Sequence, residues 1–410
     1  MSWPPHRSEI RPWKPSEQRG SRADRTLAIV EVSIPPRIGT LSYDPAGATA
    51  RDHEAALIAV ATLEASYGQH LAPLADFLVR SESVASSKIE HIDAGWNAFG
   101  KAVAGAKASN EAHAQLAAVR ALTELVNTAG SGPIDLPAVL QAHRLLMTPD
   151  YYGVAEAGGL RTVQNWIGGS GYTPINAMFV PPPPELVADL MADLLVFANR
   201  ADLPILAQAA IAHAQFLSIH PFTDGNGRIG RALIAAILRR RGLTRRITVP
   251  LASVMLADTG RYFDKLIAYR HGDADGFVDY VASAAIHSCA AAADSAAALA
   301  ALPDRWRAIA RSRANSAEET LIAHLLATPI FNAIDAAAIT GKSDVSTYNA
   351  INRLTEAGIV DVLSSNKRNR VWAAPDVLAE LDALSKAIGH RSAAARSATA
   401  SGARSRDPRS

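Results

Sequence analysis

Twelve residues near the middle of the chain bring together side chains that could do chemistry. They read HPFTDGNGRIGR at 220–231 and hold one histidine, one acid, a Gly-Asn-Gly turn and two arginines. Helical patterns precede and follow them, so the glycines lead into the N-terminus of a helix. Such an N-terminus offers unpaired N–H groups and the positive end of the helix dipole. The sequence therefore predicts a turn that binds an anion, and polyphosphate suits it best.

The side chains around this turn divide by role. Asp224 could hold a Mg²⁺ ion that bridges phosphate oxygens. Arg228 and Arg231, three residues apart on one helix face, could neutralise phosphate charge. His220, whose ordinary pKa is near neutral, could accept a proton from an attacking hydroxyl. Each residue alone has an ordinary structural explanation, but together they predict transfer of a phosphorus-containing group to an alcohol.

The segment resembles in full the HxFx(D/E)GNGRxxR signature of the Fic family, whose members mostly transfer AMP from ATP to protein hydroxyl groups. The resemblance implies that His220 deprotonates a Tyr, Thr or Ser of a protein target, that Asp224 binds Mg²⁺, and that Phe222 anchors the loop in the core. The reacting atom would be the α-phosphorus, with pyrophosphate leaving. The residues that it assigns to the nucleotide are Gly225, Asn226, Gly227, Arg228 and Arg231.

Two further stretches extend the resemblance. Residues 158–184 read GGLRTVQNWIGGSGYTPINAMFVPPPP, which predicts a β-hairpin closed by four prolines. The hairpin at 160–180 takes the place of the family's flap, which aligns a target by strand addition; a hairpin that only covers the nucleotide is the alternative. RYFDKL resembles an aromatic pair beside the adenine, which implies a nucleotide contact from Tyr262, although such aromatic residues are more often core.

The stretch SSKIEH at 86–91 resembles the family's inhibitory helix, whose pattern is [S/T]xxxE[G/N]. Ser86 and Glu90 fit this pattern, and His91 departs from it. The Glu90 carboxylate could pair with Arg231 and occupy the guanidinium that the γ-phosphate needs. An exposed helix carboxylate with no such role is the alternative. In some relatives the same glutamate positions a water that removes AMP, so a reverse deAMPylation is also implied.

Other sequence features indicate where in the cell the protein is expected. The single cysteine, Cys289, excludes an internal disulfide framework and fits a reducing compartment. The N-terminus lacks the apolar region of a secretion signal, and we expect no membrane span. His213 lies seven residues before His220, but without a third ligand it is better explained as a packed histidine than as a metal ligand. We expect a bacterial cytoplasmic protein.

The formal net charge of +2 is unevenly distributed. The excess of basic residues lies at the two ends, 1–26 and 389–410, and the remainder has more acidic than basic residues. The folded body therefore does not present a surface that coats phosphates, and nucleic acid is not the default partner.

The C-terminal part resembles a winged helix-turn-helix. Lys367, Arg368 and Arg370 lie in its wing, but its recognition helix offers only Arg353 as a cation. Homodimerisation or partner recognition therefore fits better than DNA binding. The alternative left open is a transcriptional regulator that senses nucleotide through the Fic core and reads DNA through this domain.

The elements that must position these residues are mainly α-helical: a Fic-type helical core with a β-hairpin flap, followed by the winged helix-turn-helix. ATP is the expected substrate, an unknown protein docked on 160–180 the expected target, and self-modification a further outcome. The predicted segments are a largely disordered or extended 1–50, a helical region 51–130 with the inhibitory helix at about 82–92, a catalytic core 131–302, a linker 303–317, a winged helix 318–388 and a disordered basic tail 389–410.

Overall fold

The computed structural model describes residues 3–14, 19–45, 47–67, 72–147, 156–364 and 370–404, without the side chains of 67, 72 and 398–404. Within these ranges the chain is mostly helical with a few short strands, which confirms the mainly α fold. The chain divides into two compact units. Unit 1 comprises Met1–Ala55, Arg120–Leu243 and Thr259–Ala282; unit 2 comprises Ala56–Val119, Thr244–Asp258 and Ser283–Ser410.

The elements are numbered in chain order. They are β1 (Arg7–Pro12), α1 (Arg22–Thr26), β2 (Ile29–Ile34), α2 (Gly47–Tyr67), α3 (Ala72–Ile89), α4 (Gly95–Val103), α5 (Asn110–Ser131), α6 (Leu136–Leu146), α7 (Pro184–Ala198), α8 (Ile205–Ile219), α9 (Asn226–Arg240), α10 (Leu251–Ala257), α11 (Thr259–Arg270), α12 (Ala274–Ala310), α13 (Ala317–His324), β3 (Ile330–Asn332), α14 (Ala333–Thr340), α15 (Asp344–Glu356), β4 (Asp361–Val362), β5 (Val371–Ala373) and α16 (Pro375–Arg404).

Helix α8 is the centre of unit 1. Every residue from Leu206 to Ile219 is buried, and α7, α9 and α11 pack against the helix. A helix that is apolar on all sides belongs in the interior, because no face of it gains from water. The end of α8 is therefore held in place from every side, and the loop that follows starts from a rigid point.

The described part of residues 1–50 contains paired strands, so over β1 and β2 the chain is extended, as one of the two predicted alternatives stated, and is not disordered. Strands β1 and β2 form an antiparallel ladder from Arg7↔Ile34 to Pro12↔Ile29. The side chains of β2 alternate between exposed and buried, and Val30, Val32 and Ile34 pack with Val180. The abundance of Pro, Ser and Arg in this region concealed the two-residue periodicity of IVEVSI.

Residues 160–180 do not form the regular hairpin that the sequence predicted. One antiparallel bridge, Ile167↔Phe179, closes a long loop. Gly169 has a φ of +73°, and a Cβ there would lie 2.3 Å from the Ile175 carbonyl oxygen. Pro174 has no N–H to donate. The loop is instead tied to β2, where the Ser33 N–H donates to Val180 O at 2.9 Å.

In unit 2, helix α10 packs against α3 and α16. Two carboxylates hold the chain around the start of α10. The buried Glu82 accepts a hydrogen bond from the Ala252 N–H at 2.8 Å. Glu64 accepts N–H groups from Arg245, Arg246 and Ile247. The Glu82 contact places negative charge at the N-terminus of α10, where it is stabilising. The Glu64 contacts hold the loop that leads to this helix.

Two segments predicted as linker and tail are largely helical. Helix α12 continues through Pro303 to Ala310, because the buried Trp306 fixes its last turns and donates to Asp376 at 2.8 Å. Helix α16 continues to Arg404. Its alanines favour helix, and Arg391 pairs with Asp294. The predictions of a linker at 303–317 and of a disordered tail at 389–410 were therefore wrong for 303–310 and 389–404.

The region after α12 has the order α13, β3, α14, α15, β4 and β5, with the strands arranged β3-β5-β4. This order agrees with a winged helix-turn-helix, which stays a prediction. The tip between β4 and β5, including Lys367 and Arg368, lies outside the described residues.

Among the described residues one helix, α12, is long and apolar enough to cross a membrane by length and composition alone. Half of its most apolar window is buried inside the protein, as in the core helix of a globular protein.

The loop 168–178 depends on Asp24. This buried carboxylate accepts hydrogen bonds from Ser21 Oγ at 2.7 Å and Thr173 Oγ1 at 2.6 Å. Hydrogen bonds from the hydroxyls of Ser170, Ser21 and Thr173 hold the Asp24 pKa well below its usual range. We expect Asp24→Ala to speed hydrogen exchange of the 168–178 amides, since the loop loses its anchor, whereas Asp304→Ala at an exposed site leaves it unchanged. Equal exchange in both variants would contradict this role.

Candidate active site

The candidate site is the loop between α8 and α9, which the backbone fixes at both ends. His220 ends α8 with left-handed dihedrals, φ 51° and ψ 59°, and its N–H donates to Phe216 O at 2.9 Å. Gly225 precedes α9 with a φ of +79°. A Cβ on Gly225 would lie 2.8 Å from Leu146 Cδ2, so only glycine fits without displacing that side chain.

Asn226 holds the loop together from inside. Its Oδ1 accepts the Phe222 N–H at 2.9 Å, and its Nδ2 donates to Phe222 O at 2.7 Å. The Phe222 ring is fully buried, as predicted for a core anchor. Asn226 therefore acts as a structural member of the predicted anion hole, and its side chain does not point at a ligand.

His143 is a component of this loop that the sequence reasoning missed. Its ring stacks on Phe222 with centroids 3.7 Å apart. Nδ1 accepts the Gly158 N–H at 3.0 Å, so the neutral ring carries its proton on Nε2, which donates to Asp224 O at 3.1 Å. Burial lowers the His143 pKa to about 4, which keeps the ring neutral. The motif AHRLLM, a histidine inside an apolar helix, was the available signal.

The N-terminus of α9 combines backbone donors with two buried cations. Arg228 is 7% exposed and Arg231 is 2% exposed. Arg228 lies 3.4 Å from Asp224, its nearest acid in the loop. The first N–H groups of a helix have no partner inside it, and the positive dipole end lies at the same place. The predicted residues at 224–231 thus converge on one electropositive turn.

Asp224 is suited to hold a Mg²⁺ ion at this turn. Its side chain is 70% exposed and lies beside the electropositive N-terminus of α9. Among the described residues no group of three or more His, Cys, Asp or Glu side chains forms a metal cage. Mg²⁺ in nucleotide sites is usually held by one or two carboxylates together with phosphate oxygens and water. A single exposed carboxylate at a phosphate-binding turn fits that arrangement.

His220 lies where its side chain faces two amide groups. Its Nδ1 is 3.0 Å from Asn165 Nδ2 and 3.2 Å from Asn226 Nδ2. Burial, and then the positive charges of Arg161 and Arg270, lower the His220 pKa to about 3. A neutral imidazole can accept a proton, so at neutral pH His220 is in the state that a general base requires.

Arg161 fastens this loop to the segment that follows residue 158. Its buried guanidinium donates to four carbonyl oxygens, and its own N–H donates to Pro221 O at 2.9 Å. The four carbonyls belong to His220, Val163, Pro182 and Ile219. The sequence reasoning did not identify Arg161, because all but one of its partners, Val163, are backbone groups about 20 and 60 residues away.

The structure places Tyr262 in the core, which argues against the predicted contact with adenine. Its ring is fully buried, and its hydroxyl lies 2.9 Å from His213 Nε2. The aromatic residue of that pair with an exposed surface is Phe263. His213 is itself fully buried and stacks on Phe277. The interpretation of His213 as a packed histidine agrees with this position.

The predicted inhibitory segment ends α3 with a complete hydrogen-bonded cap. The Ile92 N–H donates to Ser87 O and the His91 N–H to Lys88 O, both at 3.0 Å, and His91 has a φ of 60°. This is a Schellman cap, in which the left-handed position usually holds glycine. His91 therefore adopts the backbone that the Gly or Asn of the inhibitory pattern would adopt. Ser86 is buried and Glu90 is exposed.

Comparison with known proteins agrees with this geometry. Residues 133–238 match the model of the Fic/DOC family. The chain is 32% identical over 152 residues to the protein adenylyltransferase fic-1 of Caenorhabditis briggsae, covering 36% of this chain and 27% of that one. It is 31% identical over 176 residues to fic-1 of Caenorhabditis elegans, covering 42% and 31%. The chain thus spans less than a third of the length of these curated relatives.

A solved Fic family protein from Desulfovibrio desulfuricans G20 has the same fold. The two chains superpose with a TM-score of 0.52 at 20% identity, over 81% of this chain and 98% of the other. This similarity extends the shared fold well beyond residues 133–238.

The paired hydrogen bonds of His143 give a test of its structural role. His143→Phe keeps a ring on Phe222 but leaves the Gly158 N–H and the Asp224 carbonyl without their partner. We expect a loss of about 2 kcal/mol in the free energy of unfolding, measured in urea, because an unsatisfied buried polar group costs ~1–3 kcal/mol. The exposed His390→Phe is the control. A loss no larger than that of His390→Phe would refute this role.

The buried histidines predict a pH dependence of stability. Burial lowers the His213 pKa to about 3, so the unfolded chain binds the proton more readily than the folded protein. The stabilisation is complete above about pH 6.5 and is lost as the pH falls toward the folded-state value. Between pH 6.5 and pH 5, His213 alone should contribute a loss of about 2 kcal/mol.

His213→Gln should reduce this slope, because glutamine does not titrate in that range. The measurement is the free energy of unfolding in urea at pH 6.5 and pH 5 for both proteins. Equal slopes would show that His213 does not stay neutral in the folded state.

Proposed function

We propose that the protein is an adenylyltransferase that transfers AMP from ATP to a Tyr, Thr or Ser hydroxyl of a protein. The match of residues 133–238 to the Fic/DOC family model supports this proposal. Relatives named protein adenylyltransferase support an activity of this class.

The observation that carries the proposal is the 220–231 loop. It holds a neutral histidine, an electropositive helix N-terminus and two buried arginines within twelve residues. Phosphoryl and nucleotidyl transfer depends mainly on positioning of the reacting groups and on positive charge placed where negative charge develops in the transition state. A rigid cationic turn next to a proton acceptor meets both needs.

In the proposed reaction His220 takes the proton of the target hydroxyl. The hydroxyl oxygen then forms a bond to the α-phosphorus of ATP, and the bond from that phosphorus to the leaving pyrophosphate breaks.

Backbone N–H groups at Gly225, Asn226 and Gly227 would bind the phosphate oxygens. Arg228 and Arg231 would contact the outer phosphates and stabilise the charge of the leaving group. Asp224 would hold Mg²⁺, which when bound neutralises phosphate charge.

We place the protein target on the loop 160–180. This segment is fastened to the catalytic loop by Arg161, and it exposes Val163, Tyr172 and Met178. Exposed apolar side chains beside a rigid reaction centre could hold an extended peptide with its hydroxyl near His220. Self-modification by a second copy of the chain would use the same surface.

The inhibitory role of Glu90 is part of the same proposal. The Schellman cap at His91 supports it, since the departure from the Gly or Asn pattern does not alter the backbone path after Glu90. Pairing of Glu90 with Arg231 would deny the γ-phosphate its cation. Reverse deAMPylation would rest on the same carboxylate.

The alternative, a nucleotide-sensing regulator that reads DNA, has less support. Arg353, the only Lys or Arg in α15, pairs with Glu318. The exposed residues of α14 and α15 include Ile334, Val345 and Tyr348. An apolar surface of this kind suits a protein partner better than a phosphate backbone. Salt-sensitive binding of a specific duplex by the full chain would favour the alternative.

Transfer of AMP can be tested by intact-mass analysis with ATP and Mg²⁺. Four proteins are compared: wild type, Glu90→Gly, Glu90→Gly/His220→Ala and Glu356→Gly. We expect the mass of AMP to be added mainly to Glu90→Gly and to be absent from the His220→Ala form, because the first frees the cationic site and the second removes the base. Glu356→Gly is the matched control, since Glu356 is also an exposed glutamate at a helix end.

The phosphate that is transferred identifies the reaction. Label from the α-phosphate of ATP should enter the protein, and label from the γ-phosphate should not. Incorporation from the γ-phosphate would mean a kinase reaction, and addition of AMP to the His220→Ala form would exclude His220 as the base.

A further inference from the structure

The catalytic loop receives one side chain from the neighbouring segment that the proposed function does not use. Asn165 lies two residues before the Ile167↔Phe179 bridge, and its Nδ2 is 3.0 Å from His220 Nδ1. We propose that Asn165 is a positioning residue for His220: with Asn226 it directs amide N–H groups at Nδ1 and holds the ring as the tautomer protonated on Nε2. This inference rests on the proposed function only for its consequence in catalysis.

The direction of both amides is set by the backbone of Phe222. The Phe222 N–H requires an acceptor, which fixes Asn226 Oδ1 on that side at 2.9 Å. The Phe222 carbonyl requires donors, and it receives both Asn226 Nδ2 at 2.7 Å and Asn165 Nδ2 at 3.0 Å. Turning either amide over would place an oxygen against the Phe222 carbonyl oxygen. Both amides therefore face Nδ1 with N–H groups.

The orientation of the amides determines the state of the ring. A neutral imidazole has one N–H and one lone pair, and the nitrogen that faces two donors must carry the lone pair. The cations that act on His220, Arg161 and Arg270, cannot accept a proton. Among the described contacts of Nδ1 there is no acceptor for an Nδ1–H. The proton of the resting ring is therefore on Nε2.

Asn165 is held in this position at a cost. Its Oδ1 is buried and has no hydrogen-bond partner among the described residues. An unsatisfied buried carbonyl is unfavourable, so packing alone would favour an apolar side chain here. The amide is better explained by what its N–H groups do, which is to donate to Nδ1 and to the Phe222 carbonyl.

The tautomer assigns the atom that acts as the base. With Nε2 protonated, Nδ1 is the only ring nitrogen with a lone pair, so Nδ1 takes the proton as the target oxygen bonds to the α-phosphorus and pyrophosphate departs. The target hydroxyl must replace an amide N–H at Nδ1. Asn165 is the amide that can give way, because Asn226 is also fixed by the Phe222 N–H. Asn165 lies in the segment 160–180. A peptide docked on this segment would therefore contact the part of the chain that covers Nδ1 of His220.

Two substitutions separate this role from a steric one. Asn165→Asp keeps the shape of the side chain but replaces the N–H donors with oxygens, which accept a proton from Nδ1. Asn165→Leu removes the hydrogen bonds, while Asn226 still donates to Nδ1. A positioning role predicts that the isosteric Asp variant is the more damaging. A packing role predicts the opposite order.

The direct measurement is the ¹⁵N NMR spectrum of the histidine rings in the full chain at pH 7 without nucleotide. His220 is assigned by its absence in His220→Ala. We expect the pattern of an Nε2–H ring in the wild type and in Asn165→Leu, and protonation of Nδ1 in Asn165→Asp. Thermal melting and ATP binding of both variants check that they fold.

The second measurement is the rate of AMP transfer in the Glu90→Gly background. We expect Asn165→Asp to lose about 100-fold, the low end of what a general base contributes. Asn165→Leu should change the rate by less than ~10-fold, as for one neutral hydrogen bond. An Nδ1–H ring in the wild type, an unchanged tautomer in Asn165→Asp, or a larger loss in Asn165→Leu would each overturn the proposal.

The two measurements fail independently. If the Glu90→Gly protein transfers no AMP, the proposed function is at fault, and the NMR spectra still decide whether Asn165 sets the tautomer. If transfer occurs but the tautomer does not respond to Asn165→Asp, the positioning role alone is refuted.

Discussion

Arg161 joins the two segments on which the site depends. Helix α8 ends at His220 in a left-handed turn, which leaves its last carbonyl groups without helical partners. The buried guanidinium and N–H of Arg161 bind the carbonyls of Ile219, His220 and Pro221, and the same side chain reaches Val163 and Pro182. The carbonyl oxygens balance the charge of the Arg161 guanidinium. Because that positive charge lies near His220, it also disfavours a proton on the His220 ring. One side chain thus shapes the loop and contributes to the neutrality of its histidine.

The same principle, neutral histidines held by burial, recurs in unit 1 with different consequences. His143 is locked by the Gly158 N–H, a hydrogen bond that protonation of Nδ1 would break. His213 is fully buried against Tyr262, and burial disfavours its charged form. Both are structural. His220 differs because the groups that face its Nδ1 are donors from two amides, one of which lies on a segment away from the motif. Nδ1 of His220 carries a lone pair, and the Asn165 amide that donates to it can be displaced. A target hydroxyl can therefore approach Nδ1 without the ring first losing a proton.

The sequence predicted the loop well, because its constraints are local. The glycine turn at Gly225 and the helix that starts at Asn226 follow from residues within a few positions of one another. The Asn226 side chain, which was predicted to contact the nucleotide, bonds back to Phe222 instead. His143, Arg161 and Asn165 could not be found in this way, since each contacts the loop through a carbonyl or ring nitrogen 55 to 81 residues away. The β1-β2 pair was missed because composition suggested disorder, whereas long-range pairing decided the outcome. The helical course of 389–404 was missed because its Ser and Arg residues suggested a disordered tail, whereas its alanines favour helix.

The central claim is that the N-terminus of α9 holds the phosphates of ATP beside His220. A crystal structure of the protein with Mg²⁺ and α,β-methylene-ATP, which resists cleavage at the reacting bond, tests it directly. The account predicts phosphate oxygens on the N–H groups of the Gly225–Gly227 turn, Mg²⁺ on Asp224, and an α-phosphorus that faces the His220 ring. A nucleotide bound elsewhere, or bound in reverse with its γ-phosphate next to His220, would contradict it.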